Sequence, residues 1–493
     1  MTHQHVSFFQ KYIFPIERQE RQKFYYFAVL AFLISVGNLN LTGLRDSLVI
    51  TAPNSSATIL VYLRCFGSLP IGILFVMFFS WMIDRFSRRS IFNVFFLSTS
   101  AFLLFFPFFL YPSIERYQPS PQYIENLIQS YPHWKWFIVI YGNWLICIYY
   151  LIVDLWLGAS FTVLFWQLAN QVVTTHEAKR FYPVFIAIGG LASIASGMGV
   201  VKLVNMVLAS PSDQGQVWTH VFQLVSVLSV VSFLIAVSIH IILWERPFML
   251  KHKTPPKDRS KTSIFQGFHY LFNSKYLRCI FLILLSNEMI YEFTALLWKT
   301  ELNKIETSPD NYNYFLSQVR IWEGIGVAII AYISKTFIPQ LGWKFVAYMA
   351  PLLTGLSATV FLSALLLNGH FPEFSQLSSL IIYIGTANTI IISLVYYAFV
   401  YTTKEMAYIP LPTDMKVKGK AAVDVLSFDI ANGGSAGTDA ILTAYFAAGL
   451  LITLPYASVF VFILLGIWFY SVRTLAPLYE ELIKVEGNEK SMN

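Results

Sequence analysis

Twelve times along its 493 residues this chain returns to an apolar run long enough to cross a hydrocarbon core, which takes about 20 residues of α-helix. The runs fall near 24–48, 57–83, 91–112, 138–173, 181–206 and 218–243, then 276–298, 313–336, 343–368, 377–402, 421–447 and 449–473. Backbone inside lipid must satisfy its own N–H and C=O groups, so such spans fold as helices. Composition points the same way. With 56% hydrophobic, 17% aromatic and only 12% charged residues, a single soluble core of this size is not a reasonable alternative.

The spans form two sets of six, residues 1–244 and 276–493. Between them lies a polar stretch, 245–275, that holds Lys251, Lys253, Pro255, Pro256, Lys257, Arg259 and Lys261 and reads as a cytoplasmic linker. The turn Asp84-Arg85-Phe86-Ser87-Arg88-Arg89 between the second and third spans resembles the turn at that place in major facilitator superfamily transporters. The expected fold is therefore an all-α integral membrane protein, twelve transmembrane helices in two pseudo-symmetric six-helix bundles around a midplane cavity. No residue-level repeat between the halves is visible.

Loop charge sets the orientation, because Lys and Arg are retained on the cytoplasmic side. The two tails and the even-numbered turns carry most of the 34 Lys and Arg. Only Arg116, Lys135, Lys299 and Lys304 fall on the other side, and Arg45, Arg64, Lys202 and Arg320 fall within spans. Both termini are expected in the cytoplasm of a multi-pass protein of the cell membrane. The N-terminal residues lack the order of a cleavable signal peptide, so the first span is expected to act as the insertion signal. The net charge of +7 follows from basic loops on one face, and no basic, aromatic-interleaved soluble domain suggests a nucleic-acid partner. Cys65, Cys147 and Cys279 lie within or beside spans without a pairing motif and read as small apolar fillers.

Charged and amide side chains inside a membrane are costly, so each is a candidate contact for substrate or ion. In the first span Asn38, Thr42 and Arg45 share a helix face and Asp46 follows; Arg64 sits in the second span. Guanidinium groups offer planar paired donors that match phosphate oxygens, so two arginines on one cavity make a phosphate clamp. The alternative is that they neutralise Asp46 and Asp154, or snorkel to the outer interface.

The fourth span holds Asn143, Asp154, Gln167, Asn170 and Gln171, too many polar groups for a lipid-facing helix. Asp154 reads as a packing partner, as the counter-charge of a substrate-binding arginine, or as a proton carrier. At the cytoplasmic end of this span His176, Glu177, Lys179 and Arg180 form a solvated turn or a gate salt bridge. The seventh span places Glu288 and Glu292 one turn apart, and Arg320, with Glu323 one turn on, is their expected partner in the eighth.

The eleventh span runs from Lys416-Val417-Lys418-Gly419-Lys420 through Asp424, Asp429, Asn432-Gly433-Gly434-Ser435-Ala436-Gly437 and Asp439. Its small residues favour close helix approach, and it lacks both the P-loop pattern and a preceding strand. No Ser-His-Asp set, metal cluster or dinucleotide motif is visible, so neither an enzyme nor a cofactor is expected, and no obligate protein partner is evident.

Nearly the whole chain is similar to the ATP/ADP translocase family of obligate intracellular bacteria and plastids. The resemblance rests on Pro15-Ile16-Glu17, Leu48-Val49-Ile50-Thr51, Arg64 with Gly67 and Pro70, Leu155-Trp156 through Phe181, and Trp298-Lys299. Its most specific segments are Lys404-Glu405-Met406-Ala407-Tyr408-Ile409-Pro410-Leu411 and Lys418-Gly419-Lys420-Ala421-Ala422-Val423-Asp424.

The resemblance places the family's functional lysine on Arg45 and the glutamate before its Leu-Trp on Asp154. A second glutamate and a second lysine fall on the neutral Ala295 and Asn432. It implies alternating-access transport of nucleotides (ATP, ADP or NAD), with exchange of an adenine nucleotide or NAD for ADP preferred over proton-coupled nucleotide import. Arg45, Arg64, Asp154, Asn38, Asn170, Glu292, Arg320 and Asn432 are the expected substrate contacts, with Tyr62, Phe66 or Trp156 stacking the base. Asp154, Glu288, Glu292, Lys418 and Lys420 are the candidates for proton or gate roles.

Overall fold

The computed structural model describes residues 16–17, 20–173, 175–209, 216–246, 264–370, 378–412, 415, 419–446 and 449–492. Among them the chain is helical throughout, without strands. The N-terminal half holds α1 (Arg21–Ile50), α2 (Thr58–Leu63), α3 (Leu69–Arg85), α4 (Arg88–Phe105), α5 (Pro121–Ser130), α6 (Lys135–Gly142), α7 (Trp144–Leu157), α8 (Trp166–Val172), α9 (Thr175–Leu208) and α10 (Val217–Trp244). The C-terminal half holds α11 (Ile264–Asn273), α12 (Lys275–Ile305), α13 (Pro309–Leu341), α14 (Trp343–His370), α15 (Ser378–Val395), α16 (Tyr401–Tyr408), α17 (Lys420–Tyr445) and α18 (Leu454–Met492).

Helix starts follow the local chemistry. The Ser87, Ser120 and Ser274 hydroxyls accept from the backbone N–H groups of Ser90, Tyr123 and Leu277 and so cap α4, α5 and α12. Between α13 and α14 the chain reverses on Gly342 alone, at φ 78°, a conformation glycine adopts without a Cβ penalty.

Ten helical segments among the described residues are long and apolar enough to cross a membrane. The long helices α13 and α17 occupy the places of the expected eighth and eleventh spans, and they carry the charges foreseen there. Large apolar side chains such as Leu74, Phe109 and Ile441 are exposed along the spans, as a lipid-facing surface requires.

Two boundaries differ from expectation. The fourth span does not run unbroken from 138: the helix stops at Gly142, and Asn143 donates to the carbonyls of Pro53 and Val139 at 2.9 and 3.1 Å, so the membrane helix starts at Trp144. Within 245–275, residues 264–273 form α11, which packs on α12 and α17 rather than acting as linker; 247–263 lie outside the described residues.

The halves meet along two seams. On one, α9 and α13 run antiparallel in close contact. A Cβ on Gly324 would lie 2.6 Å from the Gly190 carbonyl oxygen, and one on Gly197 would lie 2.5 Å from that of Ser317, so the two backbones touch. On the other, α2 and the residues after it pack on α17. The fifth with the eighth span, and the second with the eleventh, are the pairs that a twofold between the halves would interchange.

Candidate functional site

Among the described residues, stretches that leave α-helical geometry for a wider π-turn include Arg64–Ser68, Phe106–Leu110, Gly158–Phe165 and Tyr396–Val400. Such bulges re-aim side chains and concentrate at functional positions. Arg64 opens the first, and the third begins one turn after Asp154. The third and fourth lie in the fourth and tenth spans, again partners under the twofold.

Around these bulges the charges of both halves join. Arg45 of α1 forms an ion pair with Asp154 of α7, its Nε lies 3.3 Å from Asp46 Oδ1, and its guanidinium sits 4.8 Å from the centre of the Tyr150 ring. The other Asp46 oxygen accepts from Lys299 Nζ on α12 at 2.7 Å, which ties the first span to the seventh. Arg64 forms a second ion pair between the halves, with Glu292 on the same α12. Three cations thus meet three carboxylates in a mostly buried layer, where an unpaired charge would cost several kcal/mol.

The bonds that bridge the halves gather toward one end of the molecule, where α1 finishes and α2 begins. The Tyr62 hydroxyl lies 3.1 Å from Thr443 Oγ1 and 3.2 Å from the Ala440 carbonyl. Leu450 N donates to Thr58 Oγ1 at 3.3 Å, and His133 Nδ1 donates to the Ala444 carbonyl at 3.1 Å. At the opposite end the ion pairs join residues of the same half: Lys23 with Glu177, Lys404 with Asp424, and Lys420 with Glu405.

The expected site residues divide accordingly. Arg45, Arg64, Asp154 and Glu292 come together in the layer. Asn38 exchanges hydrogen bonds with Ser160, at 2.9 and 3.1 Å, between α1 and the third bulge. Glu288 is half-buried, with a weak 3.5 Å hydrogen bond from Asn287. Asn432 is half-buried on α17, and Lys420 belongs to the far-end pair with Glu405. The Asn170 side chain and all of Lys418 lie outside the described residues.

Two expectations are corrected. Trp156 does not face the layer: it is 2% exposed and packs among Phe95, Phe96 and Phe233, since the helix turn that aims Asp154 inward turns position 156 into its own bundle. Arg320 does not pair with Glu288 or Glu292, because Glu292 is taken by Arg64 from the other half. Sequence reasoning missed Lys299. The apolar run ends at 298, yet α12 continues to Ile305 and sets Lys299, one residue past that apparent end, opposite Asp46.

Two helical bundles that cross a membrane, seamed by paired helices and locked at one end across a buried charged layer, define a transporter of major-facilitator architecture. A sequence profile described as TLC ATP/ADP transporter matches residues 1–479, and the chain belongs to that family. It is 28% identical to ADP,ATP carrier protein 1 of Rickettsia bellii, over 97% of both chains. To ADP,ATP carrier protein 4 of Rickettsia conorii it is also 28% identical, over 97% of this chain and 96% of the carrier.

Among solved structures it is similar to a bacterial homologue of the iron transporter ferroportin in the inward-facing state, with a TM-score of 0.60 at 12% identity, covering 92% of this chain and 99% of that one. A D-xylose–proton symporter gives 0.59 at 14%, covering 91% and 97%. At these identities the likeness concerns the fold alone.

Proposed function

We propose that the protein exchanges an adenine nucleotide or NAD for ADP across the cell membrane by alternating access, with both termini in the cytoplasm. The observation that carries this reading is that Arg45 and Arg64, the guanidiniums suited to phosphate, are each held by carboxylates in a layer that also ties the halves together. A nucleotide polyphosphate competes with Asp154, Asp46 and Glu292 for these cations. Arg45 and Arg64 turn to its oxygens, the released carboxylates lose their counter-charges, and the bonds between α1 or α2 and α12 weaken. Substrate binding is thereby coupled to parting of the locked end, and the freed carboxylates recapture the arginines when the nucleotide leaves. That recapture favours exchange over one-way flow.

Family membership and the ADP,ATP carriers named above support an adenine nucleotide. The neutral Asn432, at the place of the family's lysine, favours a substrate with fewer phosphate charges, such as ADP or NAD, over ATP. The deciding experiment is counter-exchange in liposomes with labelled ATP, ADP, NAD, GTP and UTP. Failure of every nucleotide to exchange, with folded protein in the vesicles, would overturn the reading.

A second reading, proton-coupled nucleotide import, is favoured by Glu288, a half-buried carboxylate with no cation within ion-pair distance among the described residues. Abolition of the proton gradient separates the two: exchange in preloaded vesicles continues, whereas coupled import stops.

A further inference from the structure

Arg320 of α13 stands apart from the other cations of the layer. It is 8% exposed, and among the described residues no carboxylate lies within ion-pair distance of it, whereas Arg45, Arg64 and Lys299 each have one. Its Nη1 is a buried donor without a hydrogen-bond partner in the protein. Asn313, seven residues earlier and so on the same face of α13, is wholly buried, and neither its Oδ1 nor its Nδ2 has a partner. The two heads meet over Gly43 of α1. A Cβ there would lie 2.5 Å from Asn313 Oδ1 and 2.7 and 2.9 Å from Arg320 Nη1 and Nη2. Only a glycine leaves α1 flat enough to receive both.

Buried polar groups are ordinarily satisfied, and a desolvated guanidinium is costly without an anion. Here the fold supplies forked donors and an amide beside them, next to the Arg45–Asp46 pair on α1, and keeps the nearest carboxylates, Asp46 and Glu323, beyond ion-pair distance. We propose that Arg320 and Asn313, seated over Gly43, form a subsite for a phosphate oxyanion: Arg320 grips two of its oxygens, and the Asn313 amide, free of partners, turns Nδ2 in place of Oδ1 toward the fork and donates to it. The inference rests on the nucleotide reading above and deepens it. The oxyanion is the distal phosphoryl group of the nucleotide, or inorganic phosphate with the same donors.

Binding of AMP, ADP, ATP and inorganic phosphate to the purified full chain, followed by titration calorimetry and by ligand-induced shifts in melting temperature, tests the site. If the subsite takes the distal phosphoryl group, Arg320→Gln weakens ADP and ATP at least tenfold, about 1.4 kcal/mol, and leaves AMP within about twofold. If it takes free phosphate, phosphate alone raises the melting temperature of the wild type and not of Arg320→Gln. Either result supports the site.

The inference is overturned when phosphate does not bind and Arg320→Gln either changes no nucleotide or weakens all three by one factor, as a purely structural arginine would. Should Arg320→Gln not fold, Arg320→Lys, which keeps the charge and loses the fork, and Asn313→Ala are read by the same criteria. A wild type that binds no nucleotide sinks the exchange reading, and the phosphate arm still decides the subsite.

Discussion

Arg64 and Glu292, 228 residues apart in the chain, form an ion pair from the second span to the seventh and so from one half of the molecule to the other. Removing one member leaves the other charged and buried, which costs about 3–5 kcal/mol, whereas removing both is close to neutral. Arg64→Gln and Glu292→Gln are therefore expected to lower the melting temperature singly, and the double variant to regain most of it. Exchange should be lost in Arg64→Gln and in the double variant, because the proposed phosphate ligand is gone in both. Wild-type exchange by the double variant would remove Arg64 from substrate binding.

Lys299 and Asp46 make the other charged tie between the halves, and Tyr62 with Thr443 closes the same end. Lys299→Gln is expected to loosen that end. Thr443 is completely buried, so a cysteine placed there reports on opening. Its labelling by an impermeant maleimide should rise about tenfold in the Lys299→Gln background, the change expected if the tie contributes about 1.4 kcal/mol to the closed arrangement. Equal labelling in both backgrounds would mean that the pair does not hold the end shut.

Much of the fold is legible in the sequence because lipid imposes one rule on every span: an apolar run of sufficient length is a helix. The break at Asn143 escaped because the apolar run continues through it, and only the contact with Pro53, 90 residues away, stops the helix. For the site, sequence could mark Arg45, Arg64, Asp154 and Glu292 as costly and hence suspect, but not say which carboxylate each arginine meets. Pairing between halves depends on how the two bundles dock, and nothing local encodes that. Trp156 illustrates the same limit: two positions from Asp154, it lies about 200° around the helix and points into its own bundle.

The α9–α13 seam should be the least tolerant of side-chain growth. At Gly197 and Gly324 the obstruction is backbone carbonyl oxygen, which cannot swing aside as a side chain would. Gly324→Leu and Gly197→Leu must push the helices apart, and overpacking of this kind costs about 1–3 kcal/mol. Melting in detergent is expected to drop clearly for both. The same change at Gly466, where a Cβ would meet nothing within 4 Å, serves as the control and should leave melting unchanged. Wild-type melting for both seam variants would show that the halves do not touch there.

Trp156 supplies a sharp test of where the base is not read. Its ring stacks on Phe95 at 5.5 Å between centroids and meets Phe96 and Phe233 edge-on at 4.7 and 5.1 Å, so it belongs to the packing of the N-terminal bundle. Truncation to alanine opens a cavity, for which about 3–5 kcal/mol is typical. Trp156→Ala is expected to lower the yield of folded protein and the melting temperature. Exchange per folded molecule should keep the wild-type order of preference among ATP, ADP, NAD, GTP and UTP, because no substrate contact has been lost. Phe66, expected from the sequence to stack the base, is the contrasting case: it is 55% exposed beside Tyr62 and Phe137. Phe66→Ala should leave melting nearly unchanged and alter either the Michaelis constant or the preference order. A preference that follows Trp156 and ignores Phe66 would put the base on the other side of α7 and reverse this assignment.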